Sequence, residues 1–163
     1  MNADDRHPDT LPGLSHAMSV RLDFQPERLR AGPTPSGLRF GFVGVTGGAV
    51  WGRDLNGTVV PGSGGDWPLI EPDGTFLFDA RYMIELVDGT LVYVQNRGMA
   101  HAAPDVAARL ERGEAVSLSE NYFRTTPTFT VAHGPHDWLM RRVFVGYGDK
   151  RADHSLFHFY AVL

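Results

Sequence analysis

Polar and apolar positions alternate along much of the chain, most plainly in the run Phe76-Leu77-Phe78-Asp79-Ala80-Arg81-Tyr82-Met83-Ile84-Glu85-Leu86. In an extended segment successive side chains point to opposite sides, so Phe78, Ala80, Tyr82, Ile84 and Leu86 share one face, and Asp79, Arg81, Met83 and Glu85 share the other. Comparable runs rich in Val, Ile, Phe, Tyr and Thr lie at 17–25, 38–46, 49–60, 90–97, 121–132, 142–148 and 154–162; with 75–87 they make about eight expected strands. Turn chemistry marks the boundaries. Pro72-Asp73-Gly74 and Asp88-Gly89 each offer a glycine for positive φ, and the second joins two apolar runs as a hairpin does.

One segment breaks the period. Pro104 suits a first helical position and Gly113 the residue past a helix end, Val106 and Leu110 share a face, and Asp105 with Arg109 forms an i,i+4 pair. The pattern therefore predicts a single short helix over 104–112, covering a barrel mouth or a sheet edge. Many short strands without repeats, heptads or an internal linker predict one all-β domain over 16–163, a compact and largely antiparallel β-barrel. Residues 1–15 carry Asp4, Asp5 and two prolines but no apolar run; they read as a flexible tail and not as a secretory signal.

Composition narrows the function by exclusion. The 163 residues are enough to bury a core, and 42% hydrophobic with 21% charged content is ordinary for a globular chain. A formal net charge of -4 offers no basic excess for nucleic acid, and no window approaches the roughly 20 apolar residues of a membrane-spanning helix. There is no cysteine, which removes disulfides, iron–sulfur clusters and thiolate zinc sites and suits a cytoplasmic protein. Strands 142–148 and 154–162 carry large residues on both faces, so a second subunit is expected to cover one of them in a homo-oligomer.

Motifs exclude further classes. In Pro61-Gly62-Ser63-Gly64-Gly65-Asp66-Trp67-Pro68, Gly65 is followed by Asp66 and a strand, where a phosphate loop needs lysine and a helix. Gly44, Gly47 and Gly48 miss the dinucleotide spacing. His154 and His158 are four apart, but on a strand that is roughly 13 Å, too far to share a metal. No Gly-x-Ser-x-Gly elbow is present. Neither a metal nor a cofactor is expected, and the expected partner is a small organic molecule.

What remains is a set of carboxylates, tyrosines and arginines in mid-chain. Asp79 or Glu85 as base, Tyr93 or Tyr122 as acid, and Arg81 or Arg124 beside an enolate-like oxygen would support proton-transfer chemistry of the isomerase, lyase or cyclase kind inside a barrel. Asp66, Trp67, Asn96 and Trp138 are the candidate ligand contacts, Asp66 either capping its turn or facing the barrel mouth. Two readings of the Asp79 face stand side by side. Either it is the solvated face over an apolar core, its arginines in ion pairs, or it lines a polar lumen that holds the ligand. A non-catalytic binding barrel, or an assembly protein with a filled lumen, are the alternatives to an enzyme.

Several motifs in order resemble one family. They are Gly65-Asp66-Trp67, Asp79-Ala80-Arg81-Tyr82, Asp88-Gly89 leading to Val92-Tyr93-Val94, and Asn96-Arg97-Gly98. In the second half come Tyr122-Phe123-Arg124-Thr125-Thr126-Pro127 with Phe129, then Trp138-Leu139, Phe144-Val145-Gly146 and Tyr160-Ala161-Val162. Together these resemble the domain of unknown function 3237 family, from about residue 17 to the C-terminus. The resemblance implies a β-barrel with a small helix; it implies no reaction and carries over no catalytic residue. After Trp138-Leu139 the family typically places asparagine where this chain has Met140. If that asparagine contacts ligand, the ligand here is less polar.

Overall fold

The computed structural model describes residues 11–151 and 153–163. Eleven strands form one antiparallel sheet: β1 (Leu14–Phe24), β2 (Leu29–Ala31), β3 (Arg39–Gly52), β4 (Gly57–Val59), β5 (Gly65–Asp66), β6 (Leu69–Ile70), β7 (Phe76–Leu86), β8 (Leu91–Ala102), β9 (Asn121–Val131), β10 (Phe144–Lys150) and β11 (His154–Val162). The order β1-β11-β10-β9-β8-β7-β4-β3 returns to β1, because β1 pairs with both β11 and β3. The result is a closed, eight-stranded barrel. The seam between β3 and β7 is filled in pieces, with β4, β5 and β6 each bridging the two.

Most expected elements are present, with four differences. The runs 38–46 and 49–60 are not two strands: β3 continues through Arg39–Gly52 and β4 is a three-residue remnant. The tail boundary at residue 15 falls too late, since Leu14 and Ser15 already pair with Val162 and Ala161; residues 1–10 lie outside the described residues. Helix α1 (Pro104–Glu111) forms as expected, but Arg109 reaches Glu120 at 2.8 Å rather than pairing within the helix to Asp105. A second helical turn, a 3-10 helix over Asp137–Arg141, carries Trp138 and buries Leu139 at one end of the barrel.

The alternation in β7 resolves in favour of the apolar core. Phe78, Ala80, Tyr82, Ile84 and Leu86 are buried, while Asp79, Arg81, Met83 and Glu85 face outward. The lumen is therefore filled, not open. Phe78, Phe123 and Phe157 contact one another with ring centroids 5.3–6.0 Å apart, and Phe129 sits against Phe144 and Phe159 further along. Each such buried side chain contributes about 1.5–3 kcal/mol by leaving water. Glycines make room for the rings. A Cβ on Gly98 would lie 2.5 Å from the Phe78 ring, and one on Gly148 2.7 Å from the Phe123 ring, so neither site admits a larger residue without displacing its aromatic neighbour. The Asp88-Gly89 hairpin forms as its residues predict: Gly89 takes φ +83° and donates to Leu86 O, while Asp88 Oδ1 accepts from Thr90 N–H.

Chemistry inside a polar lumen is thus overturned for most of the expected residues, because the lumen belongs to the hydrophobic core. Two interior polar atoms lack partners among the described residues, Tyr82 Oη and Asn96 Nδ2. An unpartnered buried hydroxyl forfeits hydrogen bonds it makes in water. Replacing Tyr82 with Phe is expected to leave stability unchanged or raise it by up to about 1 kcal/mol in a denaturant titration. A loss of more than about 1 kcal/mol would show that the hydroxyl is satisfied in solution.

Candidate functional site

Because the core takes one face of every strand, the chemistry-bearing residues collect on the outer wall. One continuous rung there crosses seven strands, each residue paired to the next: Leu77 on β7, Met99 on β8, Arg124 on β9, Tyr147 on β10, His158 on β11, Ser19 on β1 and Trp51 on β3. A neighbouring rung carries Asp79, Arg97 and Thr126 on one side, and Val145, Tyr160 and His16 on the other. Between the tall side chains of these rungs lies a groove of about 870 Å³. Gly98, Thr125, Thr126, Val145 and Gly146 supply small floor positions, and Arg97, Met99, Tyr122, Arg124, Tyr147 and Tyr160 rise around them. Its size falls within the range of small-molecule sites.

Two guanidinium groups govern the electrostatics. Arg97 is anchored through Nε, 3.2 Å from Asp79 Oδ2, which leaves its two terminal nitrogens available. Arg124 makes no ion pair among the described residues: Nη1 donates to Phe123 O at 3.1 Å, and the group sits 5.0 Å over the Tyr122 ring. A guanidinium stacked on an aromatic face, with donors left over, suits a planar oxyanion. The Tyr147 phenol is pushed above its ordinary range, by burial first and then by the adjacent Tyr160, so it remains a proton donor. The lining thus offers donors and apolar surface and no carboxylate.

The expected site residues divide. Tyr122 and Arg124 line the groove. Asp79 stands behind it, accepting from Arg81 Nη2 at 2.9 Å, Gln95 Nε2 at 2.9 Å and Arg97 Nε at 3.2 Å. These bonds, Arg81's first, hold its carboxyl at about 2, so Asp79 positions Arg97 and is a poor base near neutral pH. Arg81 points away, 6.0 Å from the Trp67 ring, which packs on Phe42 at the surface. Tyr93 and Glu85 share the outer wall but lie further along, Glu85 six residues from Asp79 or about 20 Å of extended strand. Trp138 packs against Phe144 at the barrel's end, and Met140 beside it is exposed.

Asp66 and Asn96 go inside. Asp66, Ala80 and Asn96 pair in a row on the inner face, with the small Ala80 between the two polar groups. Asp66 Oδ1 accepts from Asp79 N–H at 3.2 Å, and Asn96 Oδ1 accepts from the Thr125 hydroxyl. Burial pushes the Asp66 carboxyl up to about 6, against a smaller lowering by its backbone bond to Asp79 and by Lys150, whose own amine is pushed down by burial. The turn before it forms as expected, with Gly62 at φ +69°. Residues missed by sequence reading are Tyr147, Tyr160 and, behind them, His158, Ser19 and His16, while Arg97 was named in its motif but given no role. For Tyr147, Tyr160 and His158 the signal was the second face of β10 and β11, whose large residues pointed equally to a subunit contact.

Comparison with known proteins bears on this arrangement. The family model described as "Protein of unknown function (DUF3237)" matches residues 12–162. The chain belongs to that family. A Rhodopseudomonas palustris relative, "UPF0311 protein RPA1785", is 35% identical over 133 residues, 82% of this chain and 86% of its own. The crystal structure of RPA1785 superposes with a TM-score of 0.89 at 30% identity, covering 94% of this chain and 99% of that one. The crystal structure of a protein with unknown function from Clostridium acetobutylicum gives a TM-score of 0.83 at 27% identity, with 94% of this chain and 99% of that one covered. A Penicillium herquei protein described as an enzyme gives 0.70 at 18% identity, with 96% and 98% covered, a likeness of fold alone. Among the described residues no helix is long and apolar enough to cross a membrane.

The Asp66 environment carries a pH signature. Its folded value of about 6 lies above its ordinary 3.8, so the folded state holds the proton more tightly and stability falls as pH rises from about 4 to about 6. The loss is at most about 3 kcal/mol. Asp66→Asn keeps the acceptor and abolishes the charge, so its stability relative to wild type is expected to increase between pH 4 and pH 8. Parallel pH–stability curves would show that Asp66 is not burdened by burial.

Proposed function

We propose that this protein binds a flat, largely apolar small molecule bearing an acidic oxygen in the outer-wall groove, and catalyses proton transfer on it. The single observation that supports this is the pairing of two positioned guanidinium groups, Arg97 and Arg124, over a floor of small residues walled by three tyrosines. Arg124 and Arg97 hold an enolate, phenolate or carboxylate oxygen, and tyrosine hydroxyls supply further donors, so charge that develops on the oxygen during proton removal meets donors already in place. Isomerase, lyase or cyclase chemistry that begins with proton removal beside a carbonyl passes through such an oxyanion. That a protein of the same fold is described as an enzyme agrees with a catalytic use of the barrel and names no reaction.

A binding role without turnover uses the same contacts; recovery of the ligand unchanged after long incubation with the protein would favour it. Homo-oligomerisation is part of the proposal. Leu14 (56% exposed), Val143 (69%) and Trp51 (42%) lie on or beside the same wall, and a second copy covering them would also close the groove. A single-subunit mass by light scattering at micromolar concentration would remove that component.

The direct test uses 2-naphthoate, a planar aromatic anion, in calorimetric titration. Wild-type protein is expected to bind it, and Arg124→Met to bind at least about tenfold more weakly, since a hydrogen bond to a charged group contributes about 1.5–3 kcal/mol. Equal binding by the variant, or no binding by wild type at millimolar probe, would overturn the reading.

A further inference from the structure

The groove lining contains arginines, tyrosines and threonines, none of which accepts a proton readily near neutral pH, so proton removal there needs a base that the lining lacks. The long outer rung supplies one. His158 stands one strand behind the groove wall, between Tyr147 on β10 and Ser19 on β1. Its ring stacks on Tyr147, with centroids 4.8 Å apart and planes at 29°. Its Nδ1 lies 2.8 Å from Ser19 Oγ, and the same Oγ lies 2.9 Å from His16 Nε2. Ser19 is 3% exposed, His16 is open to solvent, and the His16 ring meets Tyr160, another groove residue, edge-on at 5.4 Å.

A hydroxyl held between two imidazoles donates its one proton to one ring and accepts from the other. The chain from His16 through Ser19 to His158 therefore fixes the His158 ring and occupies Nδ1. Nε2, the ring's other polar atom, has no hydrogen-bond partner among the described residues. The arrangement follows the logic of a base held by an orienting partner, with a serine and a second histidine in the supporting place.

We propose that His158 is the acid–base residue of the groove, and that Ser19 and His16 position it and pass its proton to solvent. This rests on the groove being the ligand site. A carbon or oxygen of the bound molecule gives a proton to Tyr147 Oη in the groove wall, as the Tyr147 hydroxyl proton passes to Nε2 of His158 behind it. The electron pair left behind moves onto an oxygen held by Arg124 and Arg97. The proton then returns to a different atom of the same molecule, so nothing is oxidised or reduced. A proton arriving at Nε2 is balanced by one leaving Nδ1 through Ser19 Oγ to His16 and water, and when Nε2 gives its proton back, Nδ1 regains one along the same path.

The charged and titratable groups on the same face are His16, Arg21 and Asp23 on β1, Tyr147 and Asp149 on β10, His154 and Tyr160 on β11 itself, and Arg124 on β9 beyond Tyr147. Burial first, then the His16 charge, lower the His158 titration, and Asp149 opposes them, so the ring is neutral and able to accept at neutral pH.

Imidazole nitrogen NMR across a pH titration tests the assignment with and without ligand. In free wild-type protein, His158 is expected to titrate below the ordinary histidine range, with its Nδ1 held by Ser19 Oγ. That hold should be lost in Ser19→Ala, where the His158 Nδ1 and Nε2 signals and midpoint move, and return in Ser19→Thr, which restores the hydroxyl. Identical His158 titrations in wild type and Ser19→Ala would overturn the positioning chain. With 2-naphthoate bound, the nearby anion should raise the His158 midpoint and move its Nε2 signal. If the probe shifts the Arg124 side-chain signal but leaves His158 unmoved, the acid–base role is overturned and the groove reading survives. If neither responds, the groove reading fails and this proposal with it.

Discussion

Barrel closure is the constraint on which the rest depends. β1 pairs along almost its whole length with β11 on one side and β3 on the other, so the sheet has no free main edge and a single interior. With eight strands that interior is wide enough for side chains and little else, and two groups of phenylalanines occupy it. Once one face of each strand is committed to this core, every alternate residue must face out. The arginines, tyrosines and histidines of β8 to β11 and β1 therefore meet on the outer wall, and register brings together residues that lie far apart in the chain.

The electrostatics of that wall follow from how its charges are held. Asp79 accepts from three neighbouring side chains and so stays ionised, converting a candidate base into an anchor for Arg97. Arg124 is held by a carbonyl and an aromatic face instead of a carboxylate, which preserves its positive charge for a ligand. The inner face shows the opposite economy. Asp66 is buried and Lys150 half-buried, with no ion pair between them among the described residues, and loss of solvent shifts each toward its neutral form. The same two kinds of side chain thus behave oppositely on the two faces of one sheet, because solvent and partners differ.

Much of the fold was legible in the chain. The two-residue period of β7, the Asp88-Gly89 hairpin and the Pro104 to Gly113 helix are local signals, set by side-chain alternation, turn dihedrals and helix ends. The break at β4 was not legible, since residues 49–60 read as one apolar run and only pairing to β7 decides where it stops. Of the candidate site, Tyr122 and Arg124 were found through their motif. Tyr147, Tyr160, Ser19 and His158 were not, because each looks ordinary in its own strand and gains meaning only from cross-strand neighbours.

By itself the sequence determined an all-β barrel of a recognisable family, a short helix and a chain without cysteine chemistry, since composition and short-range periodicity are properties of neighbouring residues. Only the tertiary structure decided that Asp79, Arg81 and Glu85 face out while Asp66 and Asn96 face in, and that Arg97, Arg124, Tyr147 and Tyr160 surround one groove. Alternation shows that two faces differ and not which of them closes inward. That choice is made by barrel closure and by register across strands, contacts between residues as distant in the chain as Ser19 and His158.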